Sequence, residues 1–508
     1  MSNNYTLSEL QQTSIDRMSK MNAAILALSP GTGKTLCILD FVKNHLFKDN
    51  NNKCILFIPK SARAAFKKEL STKMEIPESE YIFVTAGKTF KYEDLSSRRY
   101  IIVENSVANK YVEDLVALAS TNTCHLVIDE AHSLQNPKSV FASAAWEVRC
   151  YCKKIIAMTA TPLLNDIEGL FNVLHFVYPR VFQSWFKFRA RYCITQERVI
   201  RMKNRFGAVI QRKIIEITGF QNMEELNGIL DKLIIKGCIH YNVNFNFLDC
   251  DLDKECEKLY AMAAKGFFDI LYHPEKVKKK SKKKDDDLSN PADDAKDFGA
   301  RLHDLQRVVD FGSTEPSPDI ISNKMKLMMQ TVRDIMSRNE SALIYFEYTE
   351  SLELAEKILL QHKDSIGFKS IYKLTGAEKE DQRAKIEANL GLKEIVLCSQ
   401  AASQSRNLQR ANNIVLWNVP WSCGRLIQVV GRVCRMDSTY NHQNIYFISV
   451  NNTVDEYKIE LFKRRISLIK VLLGAESIST LNSSECCYID VDYSDVKELK
   501  KYMLWKQK

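Results

Sequence analysis

The sequence predicts an α/β fold built on two largely parallel sheets. Three observations carry it: continuously apolar strand-length runs, helical stretches between them, and the return of that pattern near the chain's end. "AAILALS" (23–29), "KCILFIP" (53–59), "YIIVE" (100–104), "HLVIDEA" (125–131) and "KIIAMTA" (154–160) form the first group. Continuous rather than alternating hydrophobicity belongs to strands covered on both faces, as in crossover-connected parallel sheets. "SALIYFEY" (341–348), "KSIYKLTG" (369–376), "KEIVLCSQ" (393–400), "NNIVLWNV" (412–419) and "QNIYFISV" (443–450) form the second. The stretch between the groups is aromatic, basic and read as helix-rich. It contains "KVKKKSKKKDDD" (276–287), which has no apolar area to bury and reads as a solvated loop spanning 274–297.

A chain of 508 residues exceeds one core, and a formal charge of +10 permits a polyanionic partner without demanding one. No apolar run is long enough for a membrane span, and "MSNNYTLSEL" lacks the features of an export signal. An intracellular, non-secreted protein without a membrane partner is the expectation. The 14 cysteines are scattered, with no CxxC pair and no zinc spacing, and read as buried or reduced thiols.

"SPGTGKT" (29–35) follows the first strand and opens a helical pattern, the context of a phosphate loop. Pro30, Gly31, Thr32 and Gly33 shape it, the glycines letting backbone N–H groups curl around phosphate oxygens at a helix N-terminus. Lys34 is placed for the β and γ phosphates of ATP, and the Thr35 hydroxyl for Mg²⁺. "LVIDEAH" ends another strand: Asp129 reads as the second Mg²⁺ ligand and Glu130 as the group polarising the attacking water, although an acidic pair there also suits a helix cap. In "MTATP" (158–162), Thr159 and Thr161 lie where α/β ligands sit. With His132 they read as coupling residues. Far downstream, "QVVGRVCRMDS" (428–438) spaces Gln428, Arg432 and Arg435 along one face of a helix.

Taken in order, these motifs resemble superfamily 2 helicases and translocases, and more narrowly the Swi/Snf-type ATPases. "LSELQQTSI" (7–15) is similar to the adenine-reading Q motif, which implies Gln11 as a base contact. "ILFIPKSARAAFKKEL" resembles a motif touching the nucleic-acid backbone, which implies Pro59, Lys60 and Ser61. "DEAHSLQNPKS", "MTATPLLNDIEGLFNVLHFVYP" and "LTGAEKEDQRAKI" extend the likeness over residues 5–475. The resemblance implies two RecA-like domains, at 1–178 and 323–455, each a mostly parallel sheet flanked by helices. A helical insertion at 179–322 would separate them, and a bracing helix and tail would occupy 456–508. It further implies that the helix carrying Gln428, Arg432 and Arg435 faces the γ-phosphate across the cleft, its arginines acting as fingers. Those are worth ~10³–10⁵ in rate. One chain then holds both halves of the site, so a monomer suffices.

Departures stand out. The usual glycine loop before the arginine helix reads "SQSRNL" (403–408), with Ser403, Ser405, Arg406 and Asn407 as candidate nucleic-acid contacts. The arginine pair after "GFQNMEEL" is replaced by "DKLIIKGCIHYNV", which keeps Lys232 and Lys236. The resemblance implies a nucleic-acid-dependent ATPase that tracks duplex DNA in preference to single-stranded DNA or RNA, with a protein partner in transcription, replication or repair. The alternatives are an RNA or branched-DNA helicase of the viral transcript-release kind, and a silent nucleic-acid clamp. The compact length also resembles motors of large DNA viruses, phages and linear plasmids. "VFQSWFKFRARYC" (181–193) offers Trp185, Phe186 and Phe188, read as core aromatics.

Overall fold

A computed structural model describes residues 5–29, 31–49, 51–159, 167–203, 209–237, 242–272, 303, 305–313, 317–375, 378, 385–386, 389–399, 408, 410–420, 426, 429–430, 433, 440 and 442–463. All ten apolar runs form strands. The first group gives β1 (Ala23–Leu28), β2 (Asn52–Ile58), β4 (Tyr100–Glu104), β5 (Thr123–Ile128) and β6 (Lys154–Thr159). With β3 (Tyr81–Val84) and β9 (Ile234–Gly237) they make a seven-stranded sheet in the order β3-β4-β2-β5-β6-β1-β9. Every pairing in it is parallel.

Both faces are buried, which is why the runs are continuous. Ile55 and Phe57 of β2 enter one core, whereas Cys54, Leu56 and Ile58 enter the other. Successive side chains leave a strand on opposite sides, so a strand covered twice needs apolar residues at every position.

The second sheet is also wholly parallel, in the order β10-β15-β14-β11-β13-β12. It contains β10 (Asn242–Cys250), β11 (Ala342–Phe346), β12 (Ser370–Leu374), β13 (Glu394–Ser399), β14 (Asn413–Leu416) and β15 (His442–Val450). Leu343 and Tyr345 pack to one side of β11, and Ala342, Ile344 and Phe346 to the other.

The segment 179–322, expected to be helical, contributes strands as well. After helix Trp185–Tyr192, β7 (Cys193–Lys203) and β8 (Val209–Phe220) form an antiparallel ribbon belonging to neither sheet. Helix Met223–Leu233 leads into β9, which joins the first sheet beside β1, and β10 then joins the second beside β15. Helices Lys254–Tyr272 and Val454–Lys463 are also described; the charged loop at 274–297 and residues beyond 463 lie outside the described residues.

A buried polar network holds the second sheet's helices together. Lys324 Nζ, with a fully buried side chain, donates to Asp310 Oδ1 at 2.7 Å and Asp455 Oδ2 at 2.6 Å. It lies 4.6 Å from the centre of the Trp417 ring. Gln306 bridges the two aspartates, and Asn418 and Ser351 also donate to Asp310. Two buried carboxylates facing one ammonium are tolerated because amide and hydroxyl donors supplement the ion pairs.

Candidate functional site

Parallel strands bring their carboxyl ends to one edge, so residues distant in sequence converge there without any special device. At that edge β1 leads into the phosphate loop, β2 into Pro59–Ser61, β5 into Asp129 and Glu130, and β6 ends at Thr159. Thr159 lies in register with Ala27 and is 1% exposed.

Gly31 and Gly33 adopt φ of +79° and +71°, the left-handed region that glycine enters without steric cost. These turns deliver the chain to the N-terminus of helix Lys34–Phe41. The Thr32 hydroxyl donates to the Ser29 carbonyl at 2.8 Å and fixes the curl. Lys34 Nζ donates to the carbonyls of Leu28 (2.9 Å) and Ser29 (3.2 Å), folding its side chain back over its own loop. Thr35 is the next residue of the helix and half-buried.

Two neighbours brace the loop. Gln11 is 3% exposed, and its Nε2 donates to the carbonyls of Thr32 (3.0 Å) and Gly33 (3.3 Å). Its Oε1 accepts from the Ser8 N–H at 2.9 Å in the capping box that starts helix Glu9–Ser19. A Cβ on Gly33 would lie 2.5 Å from that amide nitrogen. On the other side Ser29 N–H donates to the Gly237 carbonyl at 2.9 Å, so β9 sits directly against the loop. Sequence reasoning missed this brace, because a four-residue strand leaves no periodic signal.

The acidic pair is tightly built. Asp129 N–H donates to the Phe57 carbonyl, and Asp129 Oδ1 accepts from Glu130 N–H at 3.0 Å. Glu130 has φ +52°, which strains a residue with a Cβ and turns the chain sharply into Ala131–Leu134. Although part of the Asp129 surface is open, surrounding protein dominates: burial, then the Glu130 charge, push its carboxyl up to about 7 against the pull of Lys34. His132 Nδ1 lies 3.2 Å from Glu130 Oε2. Burial disfavours the imidazolium, but the hydrogen bond and charge of Glu130 outweigh it, and the net shift is upward.

The weakened acidity of Asp129 comes from burial beside a second negative charge, which a cation at this position would offset. A half-buried carboxylate and a hydroxyl at the first turn of the loop's helix are hard oxygen donors of the kind Mg²⁺ takes when phosphate and water complete its shell. The residue types fit such an ion, which Thr35 and Asp129 would hold.

The other expected residues separate into groups. Lys60 is exposed, and Pro59 and Ser61 half-buried, beside Arg63, which is held by buried Glu104 at 2.9 Å. Lys236 pairs with Asp231 at 2.6 Å. Phe188 is core and Trp185 packs against it, whereas Phe186 is 72% exposed beneath the Arg189 guanidinium, a departure from the expected core role. Pro30, Thr161, Ser403, Ser405, Arg406, Asn407, Gln428, Arg432 and Arg435 lie outside the described residues. Around the last three, Leu426, Val429, Val430 and Val433 are buried, the spacing of a helix laid on the second sheet.

Known proteins resemble this chain along most of its length. The SNF2-related domain model matches residues 9–292, and the helicase conserved C-terminal domain model matches 323–437. The uncharacterized ATP-dependent helicase YqhH of Bacillus subtilis (strain 168) is 23% identical, over 90% of this chain and 77% of its own length. The CHD3-type chromatin-remodeling factor CHR7 of Arabidopsis thaliana is 22% identical over 91% of the chain, but only 36% of its own length is covered. The DNA repair and recombination protein RAD54B of Gallus gallus is 23% identical over 94% of this chain and 54% of its length. Among solved structures, the Sulfolobus solfataricus SWI2/SNF2 ATPase core in complex with dsDNA aligns over 96% of this chain and 98% of its own, with 19% identity and a TM-score of 0.39.

Proposed function

The chain belongs to the SNF2-related family, whose domain model spans more than half of it, and from that premise we propose that it is an ATP-driven translocase on double-stranded DNA. It is a nucleic-acid-dependent ATPase; the finer reading is that hydrolysis drives movement along a duplex and displaces or remodels what is bound there. Relatives named for chromatin remodelling and for DNA repair and recombination support the choice of duplex DNA. Action inside the cell goes with that reading.

One observation carries the chemistry: Lys34 and the Asp129–Glu130 pair lie within electrostatic reach at the carboxyl ends of β1 and β5, with β6 between them. In our reading the loop N–H groups take the β and γ phosphates, and Lys34 exchanges the Leu28 and Ser29 carbonyls for phosphate oxygens. Its present hydrogen bonds store the ammonium close to where it is needed. Mg²⁺, held by Thr35 and Asp129, would neutralise phosphate charge as it develops. Glu130 orients the attacking water and can receive its proton, with His132 holding that carboxylate. Gln11 remains the candidate for the adenine. Gln428, Arg432 and Arg435 remain the candidates for contacting the phosphoryl group from the second domain, and Thr159 and Thr161 for relaying the state of the site.

The test is steady-state ATP hydrolysis without polymer and with duplex DNA, single-stranded DNA, branched DNA or RNA. Strongest stimulation by duplex DNA is expected. Stimulation mainly by single strands or RNA would replace this reading with a helicase or transcript-release factor. Equal, negligible rates for wild type and Lys34→Ala with every polymer would leave a clamp.

A further inference from the structure

Among the described residues, the ribbon β7–β8 has no sheet neighbour on either edge. A two-stranded ribbon alone is marginal in water, and strands of 11 and 12 residues, rising about 3.3 Å per residue, reach about 35 Å. Its root, by contrast, is firmly built. Phe188, Tyr192, Leu226 and Leu230 anchor the flanking helices in the first sheet's core. Arg191 grips Glu225 with two bonds of 2.7 Å, and Tyr192 donates to the same carboxylate at 2.8 Å. The Gln221 N–H donates to the Tyr192 carbonyl at 3.0 Å, and Asn222 Nδ2 to the Arg191 carbonyl at 2.8 Å. Just beyond this clamp the register shifts between Ile194 and Thr195, and Ile194 through Glu197 are all exposed. Ile215 across the ribbon is 47% exposed. The element is thus an arm fixed at its foot.

Its composition is basic. Residues 180–220 hold ten Lys and Arg against two Glu, most of the net charge of a chain whose total is +10. Of these, Arg198, Arg201, Lys203, Arg212 and Lys213 lie on the paired strands. Arg212 and Lys213 are consecutive strand positions paired with Ile200 and Val199, so charge falls on successive positions rather than on alternate ones. A ribbon meant for a protein core would keep one face free of charge.

We propose that the β7–β8 ribbon is a nucleic-acid-binding arm of the motor, whose basic residues, Arg201, Lys203 and Lys213 among them, engage the phosphate backbone of the duplex outside the two sheets. The inference rests on the reading of the chain as a duplex motor. Polyanion binding follows from charge density alone: each phosphate neutralised releases counterions, so the contact is sequence-independent and salt-sensitive. The same segment runs from the ribbon through helix Met223–Leu233 into β9, against the phosphate loop. A strand held by the arm therefore bears on the nucleotide site through one continuous piece of chain.

The test uses the full chain carrying Arg201→Glu and Lys213→Glu, with binding of a labelled DNA duplex titrated across salt. The slope of log affinity against log salt should fall by about two, one per lost phosphate contact. The duplex concentration giving half-maximal ATPase should rise about tenfold or more, while hydrolysis without DNA stays unchanged. Should charge reversal unfold the ribbon, the neutral pair Arg201→Gln and Lys213→Gln reads the same slope. An unchanged slope in a variant that melts like wild type would overturn the arm, as would a wild-type chain that binds no duplex. A loss of binding to acidic polypeptide but not to duplex would overturn it in favour of a protein partner. Duplex stimulation of the wild type is read separately, so failure of the motor reading is told apart from failure of the arm.

Discussion

Asp129 illustrates how a single carboxyl senses its surroundings. Its ordinary value of 3.8 rises to about 7 through burial and then the Glu130 charge, so the folded chain keeps a proton that the unfolded chain releases. The resulting penalty is absent below the unfolded value, grows as pH rises, and is complete above the folded one. The ligand-free protein should therefore lose stability from this group between about pH 4 and pH 7. Asp129→Asn should flatten that part of a melting-temperature profile, and a wild-type slope retained in the variant would disprove the assignment. Gly33 gives a second residue-scale expectation. Alanine there meets both φ +71° and the Gln11 amide at 2.5 Å, so Gly33→Ala should cost about 1–2 kcal/mol in chemical denaturation. It should also weaken ATP binding. The residue types at this site were readable because glycine, lysine, threonine and paired acids each have a chemical reason to be there. What Lys34 and Gln11 hold in the folded loop was not, since those partners are backbone carbonyls.

Among elements, readability followed burial. Strands covered on both faces announce themselves as unbroken apolar runs, and all ten such runs formed strands. β3, at the sheet edge, has only its end residues buried and was passed over. β7 and β8 mix Ile and Val with Arg and Lys at a period no core imposes. β9 shows how much a short element can matter: a Cβ on Gly237 would lie 2.4 Å from Leu10 Cδ1 and 2.9 Å from Leu28 Cδ2. Gly237→Ala should cost about 1–3 kcal/mol by overpacking and raise the KM for ATP through the Ser29 contact. The Lys324 network links helix Asn323–Ser337 to helix Val454–Lys463. Lys324→Met leaves two buried carboxylates uncompensated, a loss of about 3–5 kcal/mol. Adding Asp310→Asn and Asp455→Asn should recover much of that loss in the same unfolding assay. A triple variant no more stable than the single one would refute the electrostatic account.

Across the whole molecule, the decisive question is how the two halves share ATP. If Lys34 and Arg432 act on one nucleotide within one chain, Lys34→Ala and Arg432→Ala should each reduce DNA-stimulated hydrolysis by about 10³-fold or more. Mixing the two inactive proteins should then restore nothing. Recovered activity in the mixture would mean that sites form between chains, and the monomeric reading would fall.

The sequence by itself determined the class of fold, ten strands and the glycine-shaped loop that follows the first of them. Burial on both faces and phosphate chemistry restrict residue choice so tightly that few other structures fit. Tertiary structure alone decided that the chain between the two strand groups supplies an edge strand to each sheet and a two-stranded basic ribbon that, among the described residues, joins neither. It also decided that Lys34 rests on its own loop and that Gly237 and Gln11 brace that loop from either side. Those outcomes depend on backbone carbonyls, a four-residue strand and contacts across some two hundred residues. Every residue carries a backbone carbonyl, so an acceptor of that kind leaves no trace in the order of side chains.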